Sequence, residues 1–544
     1  MNRPCTKCGH YELPYVYTGE EAFFETARPF AVHNAPLLDP QIAGIRESLT
    51  EAEDHLSRVD AQMNNLKSIL QQLNGQRKML QCCVDEHKSA LSPTRRLPTE
   101  ILTEIFACSL RLEDYDTLDT SQGPWRLGQV CSRWRTIMTY DRFWSAIRIE
   151  INSAYLNINA IPVLEEWLSR SRDSALSIEF HHPDSTIEVG QSILDTLLFH
   201  SRRWRSAQLN MMLDMFLWLM QAKGHFPSLE KLLINRLDRG PMQTIAAFED
   251  APKLRDVTIQ NMQSIFTFVH IPWSQLTHYD AVEWSSEDHL EILSRTVNLA
   301  ECTLYAETHV SLSENLTHVT LPHLTKLTWN GGGLSQRLTL PSLSTVSIQS
   351  ERRGEELLNR LMSLIRRSQC TLQSLSLDMP LHRLTNLQEL LHFSSALTKL
   401  DIHLYQPSST ANQIISSLHV TPGRDYPTTR SSSKNNTSSV ATAETGTGAP
   451  ILPNLAHLSI TLSSQHHNLT TTQPFDHISF VEMVESRWRV FTNRHPVTRL
   501  RSLRFEDNDV TTPPKSLSGL RALKKEGLEV AILPMLLRDA VFVQ

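Results

Sequence analysis

The chain has 544 residues, 40% of them hydrophobic, and a formal net charge of −6 at pH 7. That length suits two to four domains with packed cores, and the slight acidity gives no basis for nucleic acid as a partner. No apolar run approaches the roughly 20 residues a membrane helix needs, and eight cysteines, most of them single, suit free thiols in a reducing compartment, cytoplasm or nucleus.

Residues 1–40 hold several prolines and no period, and read as a flexible arm. Met1–His10 is polar and opens no secretory signal. Cys5 and Cys8, with Gly9 and His10, look like half of a zinc knuckle, but the nearest pair, Cys82-Cys83, has the wrong spacing for the other half. No metal and no other cofactor is therefore expected.

Residues 41–91 carry apolar residues in alternating steps of three and four: Ile42, Ile45, Leu49, Ala52, Leu56, Val59, Met63, Leu66, Leu70, Leu73, Leu80, Val84 and Leu91. This is a heptad pattern held for about seven repeats. Arg77 and His87 fall on the same seam. A coiled coil between two chains, and with it a homodimer, is the direct reading; a hairpin folded at Asn74-Gly75 is the alternative.

Residues 92–150 come next. In Leu97-Pro98-Thr99-Glu100 the proline stands where a first helical turn tolerates it. Ile101, Leu102, Ile105, Phe106 and Leu110 follow on one helix face, and Leu127, Val130, Cys131, Trp134 and Met138 on a second helix. So few residues cannot bury two such faces alone, and they need a partner, either the rest of the chain or another protein. Leu97-Pro98, Ile101-Leu102, Ile105-Phe106, Val130-Cys131-Ser132-Arg133-Trp134-Arg135 and Phe143-Trp144 together resemble the F-box motif, in the variant common in mushroom-type fungal proteins. The departure is an acidic insert, Arg111–Gly123, longer than the usual motif has. The resemblance implies a three-helix module docking on the adaptor subunit of an SCF-type cullin-RING ubiquitin ligase. It implies Leu97, Pro98, Ile101, Leu102, Ile105, Phe106, Val130 and Trp134 as adaptor-binding residues, some of them internal to the module. A long helix before the F-box is also common in that family.

From residue 155 to 544 a loose repeat, Leu-x-x-Leu-x-Leu/Ile, recurs. It stands at Leu229, Leu254, Leu324, Leu343, Leu372, Leu397, Leu455 and Leu500, with degenerate copies at Leu276 and Leu299 and early units at Leu176-Ser-Ile178 and Ala207-Gln-Leu209. A step of about 25 residues is the leucine-rich-repeat period. Its last two apolar residues alternate and point one way from a short strand, and stacked units build a core that none has alone. Glu355–Arg366 and Leu384–Phe393 have helical spacing and would line the outer side. Residues 421–450, rich in Ser and Thr, read as a disordered loop between repeats.

His181-His182 with Asp184, and His466-His467, read as solvated loops, and Asn330-Gly331-Gly332-Gly333 as a tight turn without phosphate-loop spacing. No acid, base and nucleophile assemble, so the chain is read as not an enzyme. The expected fold class is α/β: an N-terminal long helix, a small all-α F-box-like module, then an irregular leucine-rich-repeat solenoid with a parallel sheet. The functional reading is a substrate-recognition subunit of an SCF-type ligase, binding the adaptor within its cullin complex through the F-box and an unnamed protein target through the solenoid. The alternative is a scaffold protein without a ubiquitin role.

Overall fold

A computed structural model describes residues 28–30, 36–111, 115–151, 160–183, 187–241, 243–282, 286–305, 317–330, 333–350, 354–379, 384–404, 409–420, 450–462, 475–490, 497–507 and 517–534. The arm read over 1–40 lies mostly outside these residues, Cys5 and Cys8 included. So do the loop read over 421–450 (apart from its last residue), Gly331-Gly332 and His466-His467. The chain divides into two units, residues 1–106 and 107–544.

In the first unit the heptad segment is one helix, α1, Asp39–Ala90. It runs unbroken through Asn74-Gly75, so the chain does not fold back there. Asp39 in its first turn and Lys88 in its last complement the helix dipole. No residue of α1 is buried: Leu56, Leu70 and Leu80 are 61%, 59% and 68% exposed.

Among the described residues of the second unit, fourteen strands form one sheet, from Ala146–Glu150 to Glu529–Pro534, and their spatial order is their chain order. Every pairing is parallel. All the segments read from the repeat are strands of this sheet, and their apolar positions share columns. Leu232 is level with Val257, Leu327 with Val346, Leu375 with Leu400, and Leu458 with Leu503. One backbone contact recurs with the period. The residue after each leading leucine donates its N–H to its counterpart one unit back: Arg255 to Glu230 at 2.9 Å, Thr398 to Gln373 at 2.8 Å, Arg501 to Ala456 at 2.7 Å. Helices Gly354–Ser368 and Leu384–Phe393 connect the strands where helical spacing predicts them. Their buried faces carry Leu358, Leu361, Leu390 and Leu391.

Two strands of this sheet escaped the sequence reading, one at each of its ends. Ala146–Glu150 begins the sheet before residue 155, inside the segment read as all-helical. Its Ile147 and Ile149 are fully buried, and Trp144 stands where other units place the leading leucine. At Glu529–Pro534 the position three residues before Val530 is Gly527, with φ +106°, so no leucine marks the unit.

The histidine reading is corrected. His181 and His182 belong to the strand Leu176–His182, and His182 is fully buried rather than solvated. It occupies an inward position of the strand, its ring 6.1 Å from that of Phe180. A Cβ on Gly190 would lie 2.3 Å from His182 Nε2, so only glycine leaves room for the ring.

Arg487, also fully buried, donates to Leu418 O at 2.6 Å, Leu452 O at 3.1 Å and Ile451 O at 2.6 Å. Its planar fork thus ties together chain on both sides of residues 421–449. Burial pulls its pKa down to about 10.

Candidate functional site

The helix read from Ile101–Leu110 is α2, Thr99–Ser109. Pro98 precedes it, and the Pro98 carbonyl accepts the first helical bond from Leu102 N–H at 3.1 Å. The single apolar face of the sequence reading divides into two adjacent stripes. Leu102 and Phe106 are buried, at 1% and 3% exposure, while Ile101 and Ile105 are 49% and 45% exposed. Each pair is spaced i, i+4, and neighbouring residues turn about 100° apart on a helix, which separates the stripes. Leu97 is half-buried and Pro98 exposed.

The second predicted helix is two helices, α3, Gly123–Val130, and α4, Ser132–Ile137. Cys131 between them is extended, with φ −161° and ψ 170°. In a continuous helix the Gly128 carbonyl would accept from the residue-132 N–H; instead Arg135 Nε donates to it at 3.1 Å. Val130 is 58% exposed at the end of α3, and Trp134 is half-buried on α4.

The acidic insert is anchored over its described stretch, residues 115–123. Thr117 is fully buried and bonds the first strand twice: its N–H donates to Arg148 O at 2.8 Å, and its Oγ1 accepts from Arg148 N–H at 2.9 Å. Asp119 accepts from Ser121 N–H at 2.9 Å, from the Ser121 hydroxyl and from Gln122 Nε2, bonds that hold its carboxyl below the ordinary range. Burial pushes the Asp116 carboxyl up, against the opposing bond from Leu118 N–H. Tyr115 is buried, and burial alone raises its hydroxyl to about 12. Gly123 has φ +55°, and a Cβ there would meet the Tyr115 ring at 3.0 Å, which fixes glycine at this corner.

The insert, α3 and the segment leading into the first strand meet in an aromatic cluster. Trp144 packs edge-on against Trp125 at 4.7 Å and Trp167 at 4.8 Å, and Tyr115 lies 6.0 Å from Trp167. Trp144 Nε1 donates to Met138 O at 2.7 Å, and Trp167 Nε1 to Trp144 O at 2.8 Å. Arg170 stands over the rings of Trp125 and Trp144, at 4.4 and 4.7 Å, while held by Glu166 at 2.8 Å. Trp167 and Arg170 belong to α5, Ala160–Arg170, beyond the segment read as the module. Of the residues in this joint only Trp144 stood among the motif positions read from the sequence; Tyr115, Thr117, Trp125 and Trp167 carried no such signal.

Arginines 135, 170 and 172 line a cleft beside the cluster, together with Trp125 and Met138. Among the described residues, no group of His, Cys, Asp and Glu could hold a metal ion, and Cys82 and Cys83 lie exposed on α1. No helix among them is long and apolar enough to cross a membrane.

Comparison of the whole chain with curated proteins finds no match. Residues 94–150 match the family model described as F-box-like. The stretch holding α2, α3, α4 and the first strand is therefore an F-box-like domain, which supports reading the chain as an F-box protein.

Proposed function

We propose that this chain is the substrate-recognition subunit of an SCF-type cullin-RING ubiquitin ligase. The observation that carries the proposal is the F-box-like match over residues 94–150, with Ile101, Ile105 and Val130 left exposed inside it. Isolated large apolar side chains held in water at fixed positions on short helices suit anchoring in a partner's pockets. Leu102 and Phe106 support the fold rather than the contact. The adaptor and cullin supply the conjugating machinery, and this chain acts by proximity, raising the effective concentration of a target lysine. The parallel sheet is the framework of a leucine-rich-repeat-like solenoid, supported by its period, its chain-order pairing and its recurrent backbone bond. Its polar strand positions, among them Lys231, Asp256, Thr303 and Asp401, face the target. The seam of α1 pairs two copies of the chain.

The test is co-expression of the full chain with the adaptor subunit, followed by size-exclusion chromatography. Ile101→Asp with Ile105→Asp should abolish co-elution at an unchanged melting temperature, a loss of a few kcal/mol in binding. Leu102→Ala should instead lower the melting temperature. A folded chain that never co-elutes with the adaptor at micromolar concentration would sink this reading and leave the scaffold.

A further inference from the structure

We propose that two copies of α1 pair antiparallel, with the two-fold axis between Asn64 and Asn65. The inference rests on the pairing of α1 but not on adaptor docking. The occupant of the exposed seam is a second copy because α1 is complementary to itself reversed. Residues 39–64 carry Asp39, Glu47, Glu51, Glu53, Asp54 and Asp60 against Arg46 and Arg58, a net −4. Residues 65–90 carry Lys67, Arg77, Lys78 and Lys88 against Asp85 and Glu86, a net +2. A parallel pair lays each half on its like, whereas an antiparallel pair lays acidic on basic along the whole rod.

The seam selects the register. Arg77 is the one long charged residue among its positions and Ala52 the one small residue. With the axis at 64/65, Arg77 of one copy meets Ala52 of the other, next to its Glu53. The remaining layers are then Leu49 with Leu80, Leu56 with Leu73, Val59 with Leu70, Met63 with Leu66, and Ile45 with Val84. His87 meets Ile42 at the rod end. Sliding by one heptad either way places Arg77 on Val59 or on Ile45 and shortens the overlap. A parallel pair would stack Arg77 on Arg77 and His87 on His87 inside the seam. Opposed charges of this kind set orientation as well as affinity. The 52 residues of α1 span about 78 Å at 1.5 Å per residue. The chain therefore leaves the rod toward its F-box-like domain at opposite ends, and a dimer presents two separated receptor sites rather than an adjacent pair.

Cysteine cross-linking of the full chain tests this. Leu56→Cys and Leu73→Cys are each made with Cys82→Ser and Cys83→Ser, and oxidised links are assigned by peptide mass spectrometry. Mixing the two variants should give a 56–73 link as the main product, and neither variant alone should link at its new cysteine. Links of 56 to 56 or 73 to 73 mean a parallel pair and overturn the proposal. A monomer in sedimentation equilibrium at micromolar concentration overturns it as well. Adaptor co-elution of the same preparations reports separately on the ligase reading, so the two can fail independently.

Discussion

Leu70 in α1 is 59% exposed and Leu375 in the sheet is wholly buried, although each is one leucine in a regular series. The difference lies in where the period finds its partner. In the sheet, unit n packs on units n−1 and n+1 of the same chain, so Leu375 sits level with Val346 on one side and Leu400 on the other. In α1 the period runs along a single helix, and its stripe has no second layer within its own length. The sheet closes its core in one chain, while the stripe of α1 stays exposed along its length, as the proposed pairing of two copies needs.

The contrast can be broken most directly at those two leucines. Leu375→Ala should cost about 2–5 kcal/mol, because buried neighbours cannot collapse fully into the gap. Urea unfolding followed by circular dichroism measures it, and a loss under about 1 kcal/mol would mean that the stacked units are not mutually supporting.

A second difference is sensitivity to acid. Burial lowers the pKa of His289, on the helix Ser286–Arg295, from 6.5 to about 4. The unfolded chain therefore takes up a proton before the folded one does. Stability contributed by the neutral ring is complete above pH 6.5 and falls by roughly 1.4 kcal/mol per pH unit between there and pH 4. Urea midpoints at pH 7 and pH 4.5 should converge in His289→Phe relative to the wild type. An unchanged pH slope would show that His289 does not titrate with folding.

The smallest effect sharpens the comparison from the other side. Leu70→Ala should change the unfolding free energy of the dilute monomer by within roughly 0.5 kcal/mol, as at an ordinary surface site. The same substitution should weaken self-association in sedimentation equilibrium. A large loss of monomer stability would place Leu70 in a core of its own chain.

Much of this architecture was legible before any coordinates. The Leu-x-x-Leu-x-Ile segments are strands because two apolar residues in alternation suit one buried sheet face. The end units were harder to read: tryptophan stands for the leading leucine at Trp144, and Gly527 holds the corresponding place before Val530. The pair His181-His182 misled because its polarity suggests water, whereas alternation along Leu176–His182 places His182 on the inner face. At the candidate site the eight residues all fall within the matched segment 94–150, but the sequence does not say which of them are exposed. Ile101 and Leu102 are neighbours with similar side chains, and only the helix turn between them makes one exposed and the other buried.

Local periodicity by itself determined the long helix, the run of strands and the places where short helices connect them, since these depend on which residues recur at two, three or four positions. Tertiary structure alone decided the joint between the F-box-like domain and the sheet. There Tyr115, Thr117, Trp144, Trp167 and Arg170 converge from segments with no common period. Such a contact depends on which side chains the fold brings within reach, and spacing along one element carries no record of that.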